Sequence, residues 1–201
     1  MTQLQLARQN IITQEMKHVA MDEDLDPEYI RERIADGKVV IPANHKRKAT
    51  KICGIGAGLR TKVNANIGTS ADYPDVENEM EKLRAAEEAG ADAVMDLSTG
   101  GDLRAIRKKI IGSASIAVGS VPIYEAAVKT VQHKHAIVDM TATDMLEAIR
   151  LHCEDGVDFI TVHCGATKGV LKHLKESKRI CGVVSRGGTF LVEWMIHSGK
   201  E

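Results

Sequence analysis

At 201 residues and 43 % hydrophobic content, the chain is long enough for one globular domain with a substantial core. Its 27 Lys and Arg nearly cancel 28 Asp and Glu, and the formal charge of −1 leaves no global field aimed at nucleic acid or an anionic membrane. The mixed polar opening from Met1 to Asn10 is not a secretory signal, and no apolar run reaches the ~20 residues that span a bilayer, so a cytoplasmic location is expected.

Residues 1–60 read as a helical extension and 61–201 as the main domain. Thr13 suits the cap of a short helix with Met16, Val19 and Ala20 on one face. Asp26-Pro27 supplies an N-cap with proline at N1, and Gly37 closes the next helix after Tyr29, Ile30 and Ile34. Lys38-Val-Val-Ile-Pro42 is a short extended piece stopped by proline. The basic run His45-Lys46-Arg47-Lys48 reads as solvated loop charge. Gly54-Ile-Gly-Ala-Gly58 has no preceding strand, no following helix and the wrong third spacing for a dinucleotide loop; it reads as a flexible lead-in.

From Thr61 the pattern becomes regular. Lys62 to Ile67 is the first strand, followed by a helix entered at Pro74, closed by Gly90 and striped with Val76, Met80, Leu83 and Ala86. Ala91 to Met95 is the second strand, and Leu103, Ile106 and Ile110 mark its helix. Ser115 to Val121 is the third strand, with a helix beginning near Tyr124. A further helix is expected from a Thr143 cap to Gly156, with Leu146, Ile149 and Cys153 facing inward. Val157 to Val162 is the fourth strand, Val170, Leu171 and Leu174 mark another helix, and Cys181-Gly-Val-Val184 is the fifth strand. Gly187-Gly188 opens a last helix through Leu191, Trp194 and Met195.

Alternating strands and helices mean βαβ crossovers and a parallel sheet. The units recur roughly every 30 residues, close to a barrel of about 250 residues in eight units. The predicted fold is therefore α/β, an incomplete (β/α)8 TIM-type barrel of about five βα units behind the helical extension. Three more units, roughly 80–90 residues, would be needed to close it. The chain ends after a helix without a closing strand.

Parallel α/β folds collect ligand chemistry at the carboxyl ends of their strands. All five predicted ends are polar or glycine-rich: Asn64 to Ser70, Met95 to Gly101, Pro122 to Glu125, His163 to Gly165 and Ser185 to Gly188. That is more than turn formation requires. Ser185 to Gly188 follows a strand and opens a helix, so its backbone N–H groups suit a phosphate, with Arg186 as charge partner; the alternative is an ordinary βα turn. Met95-Asp-Leu-Ser-Thr-Gly-Gly101 reads equally as a capped turn, with Ser98 or Asp102 as the cap. His163 is an acid/base or hydrogen-bonding candidate; Cys164 next to it points to the opposite face and does not share a metal with it. Asp96 and Glu125 are candidate general bases or caps, and His133-Lys-His135 reads as a solvated connector, lacking thiol or carboxylate company for a metal. Cys53, Cys153, Cys164 and Cys181 show no CxxC spacing and read as reduced thiols. Seventeen glycines and 3 % aromatics suit an enzyme scaffold better than a binder built on aromatic anchors.

The strand-end stretches, in their order along the chain, resemble the phosphomethylpyrimidine synthase (ThiC) family of thiamine biosynthesis. The resemblance rests on Val63-Asn-Ala-Asn-Ile-Gly-Thr69, Ala93-Val-Met-Asp-Leu-Ser-Thr-Gly-Gly101, Gly119-Ser-Val-Pro-Ile-Tyr124, Val157-Asp-Phe-Ile-Thr-Val-His163 and Gly182-Val-Val-Ser-Arg-Gly-Gly188. Thr2-Gln-Leu-Gln-Leu-Ala-Arg8 and Val40-Ile-Pro-Ala-Asn-His-Lys46 extend it over almost the whole chain. It implies a radical S-adenosylmethionine lyase that converts 5-aminoimidazole ribonucleotide into 4-amino-5-hydroxymethyl-2-methylpyrimidine phosphate. It also implies substrate contacts at Asn66, Met95, Tyr124, His163, Ser185, Arg186 and Gly187. A homodimer, and a flavodoxin or ferredoxin as electron donor, follow from the same resemblance.

One departure stands out. The family holds its [4Fe–4S] cluster with CxxCxxxxC, which none of the four cysteines provides, and its zinc-binding histidines are expected beyond Glu201. The chain is therefore expected to be one segment, a truncation or a proteolytic product of the enzyme, inactive alone. The paralogous hydroxybenzimidazole synthase, which takes the same ribonucleotide, and a non-catalytic ribonucleotide-binding fragment remain alternatives.

Overall fold

The computed structural model describes all residues except 48–50 and 135. Lys48 of the basic run and His135 of the His-Lys-His connector lie outside the described residues. Three helices form the N-terminal extension: α1 (Gln3–Arg8), α2 (Gln14–Glu23) and α3 (Pro27–Ala35). Thr2 and Gln5 close a capping box on α1, Thr13 caps α2, and Asp26 with proline at N1 starts α3. These helices bury Ala7, Met16, Val19, Ala20, Ile30 and Ile34 in a core of their own, roofed by Val39 and Ile41.

Val39–Val40 (β1) pairs antiparallel with Ile55–Gly56 (β2). The glycine-rich stretch expected to be a flexible lead-in thus forms a short strand. Gly56 has φ +150°, and a Cβ there would stand 2.1 Å from the Lys38 carbonyl oxygen. The glycine spacing serves this close backbone approach.

The main sheet is parallel and open, in the order Asn64–Ile67 (β3), Ala93–Asp96 (β4), Ala117–Ser120 (β5) and Phe159–Ile160 (β6). Its helices are α4 (Val76–Glu88), α5 (Leu103–Ser113), α6 (Pro122–Lys134), α7 (Ala142–Asp155), α8 (Lys168–Glu176) and α9 (Arg186–Ser198). Period-two alternation divides the strand residues between two faces. Ile67, Val94 and Val118 face α4 and α5, where they meet Met80, Leu83, Ile106 and Ile110. Asn66, Met95, Gly119 and Phe159 lie in one register row on the other face.

Four expected strands form, and the fifth does not. Gly182 adopts φ +54°, which interrupts any extended run, and β6 ends at Ile160 without a ladder reaching Cys181–Val184. Val184 is left 74 % exposed. The turn at β4 is settled in favour of Asp102, which caps α5 by accepting from the Ala105 N–H. α7 also departs from expectation. Thr141, not Thr143, caps it, in a capping box with Asp144. Leu146 and Cys153 are exposed, whereas Ala148 and His152 are buried. The inward stripe is rotated by one residue because His152 is drawn to polar partners inside.

Arg47 corrects the reading of solvated charge. Its side chain is 7 % exposed, paired with Asp158, and donates to the carbonyls of Ile111 (3.2 Å), Ala114 and Ile116 (2.8 Å). Asp158 in turn accepts the N–H of Asn44 at 2.9 Å and of Val118 at 2.8 Å. The loop before β2 is thereby bound to the amino ends of β5 and β6.

Candidate functional site

The carboxyl ends of the strands are braced from behind before any functional group is presented. Buried Glu79 accepts the Gly68 N–H at 2.6 Å, and Thr69 donates its N–H to Ser98 Oγ at 3.1 Å and its hydroxyl to the Gly100 carbonyl at 2.7 Å. These bonds join the loops after β3 and β4. In front of them, Asn66 and Met95 stand side by side in register, Asn66 exposed and accepting from Asn64 Nδ2 at 3.1 Å. Met95 lies beside Gly119, whose missing side chain leaves room for the Phe159 ring; a Cβ there would stand 2.2 Å from Phe159 Cε2. The Thr161 hydroxyl points at the Met95 sulfur from 3.7 Å.

A second group gathers at the start of α9. Ser185 caps the helix by accepting the Gly188 N–H at 3.3 Å, and the same hydroxyl lies 2.8 Å from His163 Nε2. His163 lies against the first turn because Gly187 has no side chain: a Cβ there would be 2.4 Å from His163 Cε1. The Nδ1 atom of His163 is buried without a hydrogen-bond partner. Arg186 places its guanidinium 5.3 Å from the centroid of the Tyr124 ring, which meets Phe190 edge-on at 6.1 Å. Tyr124, His163, Ser185, Arg186 and Gly187 are thus brought together from α6, the loop after β6 and α9. Asn66 and Met95 form the other group, on the face of the sheet.

Chemically, the α9 end offers first-turn N–H groups, a serine hydroxyl and a cation, a set suited to an oxyanion. The neighbouring aromatic ring and imidazole suit a flat, polar ligand. The two candidate bases do not belong to this set. Asp96 lies on the helix side of β4, 6 % exposed, accepting the Ser98 N–H at 2.9 Å; burial pushes its carboxyl above the usual range against those hydrogen bonds. Burial would also raise Glu125, but His152, Lys129 and Arg107 outweigh it and hold the carboxylate well below the usual range. Both are structural carboxylates here.

Glu125 belongs to a buried network that the chain's local pattern did not bring forward. Arg107 reaches Glu125 at 2.6 Å and Asp155 at 2.7 Å, and His152 lies between Glu125 (2.8 Å) and Ser120 (2.7 Å). A signal was present: Arg107 occupies the apolar stripe of α5 beside Leu103, Ile106 and Ile110, where a charge needs a buried partner.

With this geometry in place, comparison with known proteins is decisive. The family model described as the radical SAM ThiC family matches residues 2–201. The chain belongs to that family. Phosphomethylpyrimidine synthases from Desulforamulus reducens, Dehalococcoides mccartyi and Geobacter metallireducens are each 53 % identical to it over 201 residues. The match covers all of this chain and 46–47 % of those proteins, so it spans about half the length of the curated relatives it matches, consistent with an N-terminal portion. Radical SAM membership implies S-adenosylmethionine and an iron–sulfur cluster in the complete enzyme. The residues present do not fit the cluster. Cys53 is buried, the other three cysteines are exposed and all are free, and among the described residues no group of three His, Cys, Asp or Glu could hold a metal ion. Among the described residues, no helix is long and apolar enough to cross a membrane.

Proposed function

We propose that this chain forms the ribonucleotide-holding part of a phosphomethylpyrimidine synthase, with 5-aminoimidazole ribonucleotide bound across the carboxyl ends of β3 to β6. The observation that carries this reading is the convergence of Tyr124, His163 and Ser185-Arg186-Gly187 on one helix end. In it, Ser185, Arg186 and the free N–H groups of α9 hold the phosphate, while His163 and Tyr124 flank the nucleoside. Asn66 and Met95 line the floor, one offering an amide and the other an apolar surface. The open sheet with α4 and α5 on one face is the corresponding part of a (β/α)8 barrel. In this reading the product is 4-amino-5-hydroxymethyl-2-methylpyrimidine phosphate, and zinc, the cluster and its electron donor act on the complete homodimeric enzyme through residues outside this set.

The test is titration calorimetry of the full-length enzyme with 5-aminoimidazole ribonucleotide. Ser185→Ala and His163→Ala are each expected to weaken binding about tenfold or more, the scale of a lost hydrogen bond to a charged or buried group. Unchanged affinity in both variants would refute the strand-end assignment. Product analysis of the same enzyme separates a pyrimidine from a benzimidazole product.

A further inference from the structure

We infer that His152 is a positioning residue for Tyr124: its imidazole staples both ends of the β5–α6 connection and so sets the aromatic face beside Arg186. The inference rests on the ribonucleotide reading of that edge.

The connection is short. β5 ends at Ser120, α6 begins at Pro122, and Tyr124 and Glu125 lie in its first turn. One ring of α7 touches the segment twice, with Nδ1 2.7 Å from Ser120 Oγ and Nε2 2.8 Å from Glu125 Oε2. Ser120, Glu125 and His152 are all at most 4 % exposed. Nε2 lies between the Glu125 carboxylate, which accepts, and Arg107 Nη1 at 3.0 Å, which donates, while Nδ1 faces the Ser120 hydroxyl. Arg107 donates to the same Glu125 oxygen at 2.6 Å, which fixes the carboxylate from α5 as well.

The residues between these anchors turn the other way. Ile123 and Tyr124 face the first turn of α9: a Cβ on Gly187 would lie 3.0 Å from Ile123 Cγ2, and the Tyr124 ring meets Phe190 and Arg186. Anchoring the segment at residues 120 and 125 therefore sets where the ring stands. Apolar packing alone would hold α5, α6 and α7 together, but it would not pin two atoms of one turn. Two directional hydrogen bonds from a single rigid ring do so, and the buried Arg107–Glu125 pair beside the ring keeps them in place.

The experiment uses the full-length enzyme, with ribonucleotide affinity measured by calorimetry and folding followed by thermal melting. Tyr124→Ala and His152→Gln are each expected to weaken binding about tenfold, Ser120→Ala about threefold, and His152→Gln should add nothing in the Tyr124→Ala background. That lack of additivity is the signature of positioning; a merely structural role lowers the melting temperature and leaves the affinity of the folded protein alone. If Tyr124→Ala weakens binding while His152→Gln and Ser120→Ala bind as the parent, the staple is wrong and the ribonucleotide reading stands. Multiplying losses in the double variant would also overturn it, because His152 would then act elsewhere. If Tyr124→Ala itself binds normally, the site reading and the inference built on it both fall. Should His152→Gln fold poorly, Ser120→Ala, which removes a single hydroxyl, carries the same comparison.

Discussion

Replacing Arg107 with methionine is expected to cost on the order of 3 kcal/mol of unfolding free energy, read as a lower urea midpoint at unchanged slope. The Arg107 side chain is 2 % exposed and neutralises two carboxylates, Glu125 and Asp155, that are equally withdrawn from water. Methionine fills much of the volume but leaves both carboxylates without their shared cation. The loss falls toward the lower end for such pairs because each carboxylate keeps a partner. Glu125 retains Lys129 at 2.5 Å and His152 at 2.8 Å, and Asp155 retains Arg104 at 2.8 Å. A loss below about 0.5 kcal/mol, the range of ordinary surface changes, would show that the network is not holding α5, α6 and α7.

The same substitution has a pH signature. Against the cost of burial, hydrogen bonds and nearby cations hold Glu125 and Asp155 below their usual range in the folded state. Groups of this sign stabilise the fold above their unfolded values, about pH 4, and that contribution is lost as pH falls through the folded values. Burial-raised Asp96 has the opposite sign: its contribution is present below the unfolded value and is lost as pH rises. Wild-type stability should therefore drop on acidification below about pH 4 more steeply than that of Arg107→Met, in which the two carboxylates begin closer to their ordinary values. Parallel acid limbs would contradict this assignment.

What was legible in the sequence divides along one physical line. Elements whose signal is local came through: Thr13 and Asp26 with Pro27 each cap the helix expected of them, a last helix opens at Arg186–Gly188, and four strands lie where apolar runs follow turn residues. Tyr124 and His163 follow β5 and β6 where βα turns are expected, whereas Ser185 opens α9 without the strand expected before it. Features that depend on a distant partner did not come through. Cys181-Gly-Val-Val184 has strand composition, but no hydrogen-bonded edge receives it and Gly182 turns it aside. His152 and Arg107 find their partners 32 and 18 residues away, and no local pattern connects them. Arg47 reaches Asp158 across 111 residues, so a basic run looked like a solvated loop.

That last pair carries the second large expectation. Arg47→Met should destabilise the protein by on the order of 3–5 kcal/mol, with Asp158→Asn costing a similar amount. Arg47 loses more than one partner: besides Asp158, the carbonyls of Ile111, Ala114 and Ile116 forfeit its donors at the amino end of β5. Asparagine at 158 keeps the shape, yet it has one acceptor oxygen where the carboxylate serves Arg47 and the N–H groups of Asn44 and Val118; its amide would turn donor against donor. Lys46→Ala next door removes only an exposed bond to the Glu154 carbonyl and should stay within about 0.5 kcal/mol. Hydrogen exchange gives a local readout, because the Val118 N–H, whose acceptor is Asp158 itself, should exchange faster in both variants. Combining the two should cost far less than their sum, since each change alone strands the other partner's buried charge and the double variant strands neither. Additive losses would mean that Arg47 and Asp158 stabilise separate structures, and the loop would then not be what binds the N-terminal extension to the sheet.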